Sequence, residues 1–260
     1  MSLGTLYGVG AGPGATDLLT LRAVSVLKAA RVLALPRSND HGASMAWNIV
    51  NPAVGEVPGQ ERLFLTFPMN KDLARLRPAW DTAFAKIGER LEQGLDVAFV
   101  TEGDPFVFST FIYLLREAPL RWPGVRIEVV PGVTSLTAVP NRIGIPLADG
   151  QERVAIVPAN YGVADLVKVL EDFDTTIIMK IGREMPNVLA ALERTGLTER
   201  AVYASRATME DERVERDVRK VAAEYGDCFA MVVVARKDRS GVLAGDVAEV
   251  ERGARTRVGA

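Results

Sequence analysis

The residues best placed to do chemistry lie in one short run, Glu102-Gly103-Asp104-Pro105. They follow directly on Val97 to Val100, an apolar stretch that reads as a buried strand. Just past the carboxyl end of such a strand, an open α/β sheet presents backbone amides and short acids to ligands, so a small-molecule cofactor is expected at this turn. Pro105 and the aromatic-rich segment Phe106 to Tyr113 then start a helix whose first amides have no partner within it.

Two further turns have the same form. Leu6 to Val9 reads as a strand running into Gly8, Gly10, Gly12, Pro13 and Gly14, and a helix follows over Leu18 to Ala30 with Thr16 or Asp17 placed to cap it. Val125 to Val130 runs into Pro131-Gly132-Val133-Thr134-Ser135, where Thr134 or Ser135 serves as an N-cap, a ligand contact, or both. The first of these turns only loosely matches the dinucleotide fingerprint. Pro13 interrupts the amides that would cradle a pyrophosphate, and the second strand, Arg31 to Leu35, ends in Pro36-Arg37-Ser38 with no acid for a ribose. A nucleotide-dependent oxidoreductase is therefore the weaker reading.

The elements that must position these turns alternate along the chain. Ala43 to Val50 is expected as a short helix, Leu63 to Phe67 as an edge strand, Asp72 to Gln93 as a long amphipathic helix closed by Gly94, and Ser109 to Glu117 as a helix. Proline, glycine and charge between Ile145 and Glu152 place a domain boundary near Asp149, giving an N-terminal α/β domain over 1–148 and a second over 149–240. The second domain reads as strands at Val154 to Val157, Thr176 to Ile181, Ala201 to Ala204 and Phe229 to Ala235. Helices are expected between them at Leu166 to Leu170, Val188 to Arg194 and Val218 to Tyr225. From Arg239 the tail is small and polar, and 241–260 are expected to be mobile.

Composition removes several classes of function. The 260 residues are 48% hydrophobic, enough for a substantial core, and the formal charge of -2 without a basic run speaks against a nucleic-acid partner. A single cysteine, Cys228, rules out a disulfide framework, and a single histidine, His41 in a polar loop, rules out a His-rich metal site, so no metal is expected. No stretch of about 20 apolar residues and no apolar leader is present, so a cytoplasmic protein with no membrane partner is expected.

Five turns, Gly10 to Gly14, Gly103 to Pro105, Pro131 to Ser135, Met179 to Gly182 and Ala204 to Thr208, fall at strand ends. In this order and spacing the chain resembles the tetrapyrrole methylase family over roughly Leu6 to Lys237. Its details look closest to the members that methylate C-20 of precorrin-2: Tyr7-Gly8-Val9-Gly10, Leu18-Leu19-Thr20-Leu21, Phe67-Pro68-Met69, and Gly103-Asp104-Pro105 followed by Phe108 to Leu114. The resemblance implies two α/β domains with S-adenosylmethionine in a cleft between them, a small tetrapyrrole acceptor, S-adenosylhomocysteine as product, and a homodimer. Carried over by position, it implies that Pro13 lines the cleft and that Glu102, Gly103, Asp104, Val107, Thr134 and Ser135 hold the methionine part or ribose. Met179, Ala207 and Ala230 would flank the adenine. Where members carry an acid after Gly-Pro-Gly this chain has Ala15, with Asp17 the next acid.

An acceptor rimmed with acetates and propionates calls for guanidinium or ammonium groups. Arg37 is the first candidate, and Lys180, Arg183 and Arg206 follow because they lie beside expected cofactor turns. Asp104 and Tyr113 are the candidates for removing the proton from the methylated carbon. The same chemistry fits cobalt-precorrin-2 or another corrin-ring carbon as acceptor.

Overall fold

The structure is a computed structural model that describes residues 2–39, 42–68, 73–221 and 229–238. His41, Cys228, the second half of the helix expected over Val218 to Tyr225, and the tail from Arg239 lie outside the described residues. The chain forms two compact units, Met1–Ala138 and Val139–Ala260.

In the first unit, strands β1 (Leu6–Gly10), β2 (Val32–Arg37), β3 (Glu61–Thr66), β4 (Val97–Thr101) and β5 (Ile127–Val130) form one sheet in the order β3-β2-β4-β1-β5. Every pairing is parallel, with Val9 opposite Val100 on one side and Val130 on the other. A parallel sheet needs a crossover after each strand, and helices α1 (Leu21–Ala29), α2 (Met45–Val54), α3 (Leu73–Glu92) and α4 (Phe111–Arg121) supply these. They cover both faces, which is why β4 is apolar at every position but the last. Val97 and Phe99 pack with Phe84, Ile87, Phe111 and Leu114 of α3 and α4. Ala98 and Val100 pack with Val26, Leu27, Ile49 and Val50 of α1 and α2. Burying each such large side chain stabilises the fold by about 1.5–3 kcal/mol.

Two expectations shift. The cap of α1 is neither Thr16 nor Asp17, because residues Thr16–Leu18 close a single tight turn and the α-helix begins later. Thr20 caps it, its Oγ1 accepting from the Ala23 N–H at 3.1 Å. Helix α2 continues through Pro52 to Val54, beyond the expected end at Val50. The proline removes one intrahelical donor, but burial of Ile49, Val50 and Val54 on one face outweighs that loss.

Helix α5 (Ser135–Ile143) carries the chain to the second unit, where β6 (Val154–Pro158), β7 (Thr175–Met179), β8 (Ala201–Ser205), β9 (Arg213–Glu215) and β10 (Ala230–Ala235) form a sheet in the order β6-β7-β10-β8-β9. Only β6 and β7 pair in parallel. β10 runs antiparallel to both β7 and β8, and β9 runs antiparallel to β8. Helices α6 (Val163–Asp172) and α7 (Met185–Thr195) bury Leu166, Leu170, Val188 and Leu192 against Ile178, Tyr203 and Val232. Strand β9 is three residues long with charge at both ends, so no alternation announces it. Val218–Val221 forms a 3-10 turn.

Candidate cofactor site at the strand ends

Because β4, β1 and β5 are parallel neighbours, the turns that follow them meet at one edge of the first sheet. They are joined there by backbone. Ala11 N–H donates to Thr101 O at 2.8 Å, and Gly12 and Gly103 exchange two hydrogen bonds, of 3.2 and 2.7 Å, in an isolated antiparallel bridge. A Cβ on Gly10 would stand 2.6 Å from Gly103 O, and one on Gly132 would overlap that same oxygen, so glycine is obligatory where the three turns cross.

Asp104 ties two of these turns together. Its Oδ1 accepts from the Phe106 N–H at 2.9 Å and its Oδ2 from the Gly132 N–H at 3.0 Å, so it links the turn after β4 to the turn after β5. Val107 N–H closes on Asp104 O at 3.2 Å. Below them the buried hydroxyls of Thr101 and Ser109 lie 2.9 Å apart, and Ser109 Oγ accepts from the Phe111 N–H at 3.0 Å to start α4. The Glu102 carboxyl turns away toward the first turn of α2. Burial there pushes it above the usual carboxylate range, against the opposing pull of its own amide and that of Ala46. Thr134 caps α5: its Oγ1 accepts from Leu136 N–H at 3.3 Å, and its carbonyl accepts from the Thr137 and Ala138 amides. Ser135 is the first residue of α5, and it and Pro13 are half-buried.

The second sheet collects its turns differently. β7 and β8 both run against β10, so they end at the same edge, where β10 begins. Met179 lies opposite Met231, and Ala230 opposite Ser205. Arg206 N–H donates to Phe229 O at 3.1 Å. Met179 is half-buried, and Ala207 and Ala230 are buried. Sequence missed the brace of this region. Glu212 Oε2 accepts from the Thr208 N–H at 2.6 Å, and its carboxylate takes a forked pair from Arg142 at 2.8–3.2 Å, which holds it below the usual range. Arg142 is seventy residues away in sequence, and nothing local points to it.

Among the described residues, four that are not glycine have a left-handed backbone: Phe108 (φ 51°), Lys180 (φ 56°), Arg206 (φ 49°) and Thr208 (φ 71°). Phe108 lies three residues past Pro105, and the other three fall within the turns after β7 and β8. Such conformations cost about 1–2 kcal/mol each.

The basic candidates divide. Arg37 belongs to β2, where its Nε donates to Thr66 Oγ1 at 3.3 Å and its guanidinium lies 5.7 Å from the Phe64 ring centre. Arg206 pairs with Asp211 at 3.1 Å and covers the Phe229 ring. Lys180 and Arg183 are exposed. Tyr113 sits in the first turn of α4, mostly exposed, with its ring edge-on to Trp80 at 5.2 Å.

A profile of the Tetrapyrrole (Corrin/Porphyrin) Methylases matches residues 5–222. The chain belongs to this family. The methylase is 34% identical over 219 residues to a cobalt-precorrin-2 C(20)-methyltransferase of Salmonella typhimurium, a match covering 84% of this chain and 90% of that one. It is 30% identical to a precorrin-2 C(20)-methyltransferase of Sinorhizobium sp, covering 92% and 98%. Its fold is similar to the crystal structure of uroporphyrin-III C-methyl transferase from Thermus thermophilus complexed with S-adenyl homocysteine, with a TM-score of 0.62, 26% identity, and coverage of 90% and 98%.

A Cβ at Gly103 (φ 64°) or at Gly182 (φ 41°) would meet nothing within 4 Å, so backbone at both turns is open to approach. Among the described residues no cluster of His, Cys, Asp or Glu could hold a metal ion, and no helix is long and apolar enough to cross a membrane.

Proposed function

We propose that this methylase transfers the methyl group of S-adenosylmethionine to C-20 of precorrin-2, giving precorrin-3A in cobalamin biosynthesis. The observation that carries this reading is identity to two C(20)-methyltransferases over most of both chains. The open backbone at Gly103 and Gly182 supports it. The cobalt-bearing acceptor is the second reading, favoured by the name of the Salmonella typhimurium relative. The metal would then be part of the substrate. A cytoplasmic homodimer belongs to the same proposal and rests on the family.

When bound, S-adenosylmethionine supplies a methyl group on a positive sulfur, electrophilic without further activation. The chain's own residues bind and orient. Pro13, Gly103, Asp104, Val107, Thr134, Ser135 and the backbone of Glu102, whose carboxyl turns away, hold the amino-acid arm and ribose, and Met179, Ala207 and Ala230 flank the adenine. Arg37, Lys180, Arg183 and Arg206 receive acceptor carboxylates. The acceptor's meso carbon is already enamine-like, so no strong base is needed before transfer. Alignment supplies up to about 7–11 kcal/mol of the acceleration, and exclusion of water around the fading charge adds to it. The proton lost from C-20 afterwards goes to Asp104, to Tyr113 or to water. The test is incubation with precorrin-2 and S-adenosylmethionine carrying a ¹³C methyl group. One label at C-20 is expected. Label on another ring carbon, or none from folded protein, would overturn the reading.

A further inference from the structure

Two residues with left-handed backbone, Arg206 (φ 49°) and Thr208 (φ 71°), flank the buried Ala207 in the turn after β8. Side chains other than glycine keep such a backbone only where the surroundings over-determine it. Here they do. Arg206 N–H donates to Phe229 O at 3.1 Å, Met209 N–H to Arg206 O at 2.9 Å, and Glu212 N–H to Met209 O at 3.2 Å. The Arg206 guanidinium pairs with Asp211 at 3.1 Å. The Thr208 N–H goes to a charged acceptor, Glu212 Oε2, at 2.6 Å.

The brace does not end at Glu212. Arg142 Nε lies 3.2 Å from its Oε1 and 3.0 Å from its Oε2, and Arg142 Nη2 lies 2.8 Å from Oε1, a fork that fixes the plane of the carboxylate. Just past β9, Arg216 Nη2 donates to Ile143 O at 3.0 Å. Glu212 and Arg216 stand immediately before and after β9, and both reach the last turn of α5. A strand of three residues is thus clamped at both its ends, by contacts that all lie within the second unit. An ion pair on the surface contributes little as a rule. This one is placed differently: the Glu212 side chain is 17% exposed and carries a strained turn's amide as well as the guanidinium.

We infer that Glu212 and Arg142 are positioning residues for the cofactor's purine: through the Thr208 amide they hold the turn, and Ala207 within it, in the binding conformation before the cofactor arrives. The inference rests on the functional reading above, which sets the adenine against Ala207, and adds to it two residues that touch neither cofactor nor acceptor. The effect is one of populations. When only a fraction of the molecules has the binding conformation, apparent affinity falls by that fraction, so a turn released from its brace binds more weakly although no contact to the ligand is removed.

The test is calorimetric titration of S-adenosylhomocysteine against wild type, Glu212→Ala, Arg142→Ala and the double variant, with amide hydrogen exchange over residues 206–212 read with and without the ligand. Glu212→Ala is expected to bind about tenfold more weakly, and Arg142→Ala a few-fold more weakly. The double variant should bind no more weakly than Glu212→Ala, because the arginine acts through the carboxylate. In wild type the amides of 206–212 should be protected before ligand is added. In Glu212→Ala they should exchange faster and regain protection with S-adenosylhomocysteine. A role in stability alone would lower the melting temperature but leave the affinity of the folded protein unchanged, and that result overturns the inference while the functional reading stands. Losses that add in the double variant overturn it too, since the two residues would then act separately. Should Glu212→Ala not fold, Arg142→Ala, altered at a side chain 56% exposed, decides the matter: unchanged affinity there overturns the inference by itself. Folded wild type that binds no S-adenosylhomocysteine overturns the functional reading, and this inference with it.

Discussion

The turn after β4 and the turn after β8 both bring the backbone into the left-handed region, but by different means. After β4 the first such residue is a glycine, Gly103 (φ 64°), whose neighbour Asp104 supplies the brace, with Phe108 (φ 51°) following nearer the helix. After β8 the residues are Arg206 and Thr208, and the brace is Glu212 with Arg142 from α5. The first turn carries its geometry in adjacent residues. The second takes it from Glu212, four residues past Thr208, whose carboxylate is held in turn by Arg142, seventy positions before it.

If that contrast holds, Gly132→Ala should do the most damage. A Cβ there would overlap Gly103 O, backbone that cannot rotate away, and the variant should lose about 3 kcal/mol in a denaturant titration. Gly103→Ala, which pays only for its φ, should lose about 1 kcal/mol by the same measurement. Asp104→Ala strands two amides and should lie between them, at about 2 kcal/mol. It should also weaken S-adenosylhomocysteine binding.

In the second unit the effects should be smaller and pH-dependent. Arg142 holds the Glu212 carboxyl below its usual range, so this stabilisation is present above the ordinary carboxylate pKa and is lost as pH falls through the lowered value. Thermal melts of wild type and Glu212→Gln should accordingly differ at neutral pH and converge in acid. Glu102, in the first unit, has the opposite sign. Burial raises its carboxyl, so wild type should lose stability as pH climbs from the ordinary carboxylate range through the raised value, and Glu102→Gln should flatten that slope. The smallest effect is a gain. Thr208→Gly relieves a left-handed backbone (φ 71°) and should stabilise by up to about 1 kcal/mol, less the extra freedom it gives the unfolded chain.

The same contrast explains what could be read from the sequence. The inner strands of the first unit are apolar on both faces because helices cover both, and the turns after β1, β4 and β5 are spelled in glycine and proline, so these strands and turns and the helices after them were visible. The cap at Thr20 was misplaced because a single tight turn, Thr16–Leu18, precedes the helix and sequence periodicity does not separate the two. In the second unit four strands were visible as apolar runs, but not β9, which is three residues with charge at both ends, nor the reversal of β10, since direction is set by pairing and not by composition. Arg206 and Thr208 show no sign of their strain, because nothing in an arginine or a threonine announces a positive φ. Glu212 and Arg142 read as surface charges until the fold brings them together.

Calorimetric titration with S-adenosylhomocysteine tests the central claim most directly, that the strand-end turns of this methylase hold S-adenosylmethionine. Saturable binding at one site per chain, weakened in Asp104→Ala, is the predicted result. No binding by folded wild type, or equal affinity in wild type and a folded Asp104→Ala, would contradict it.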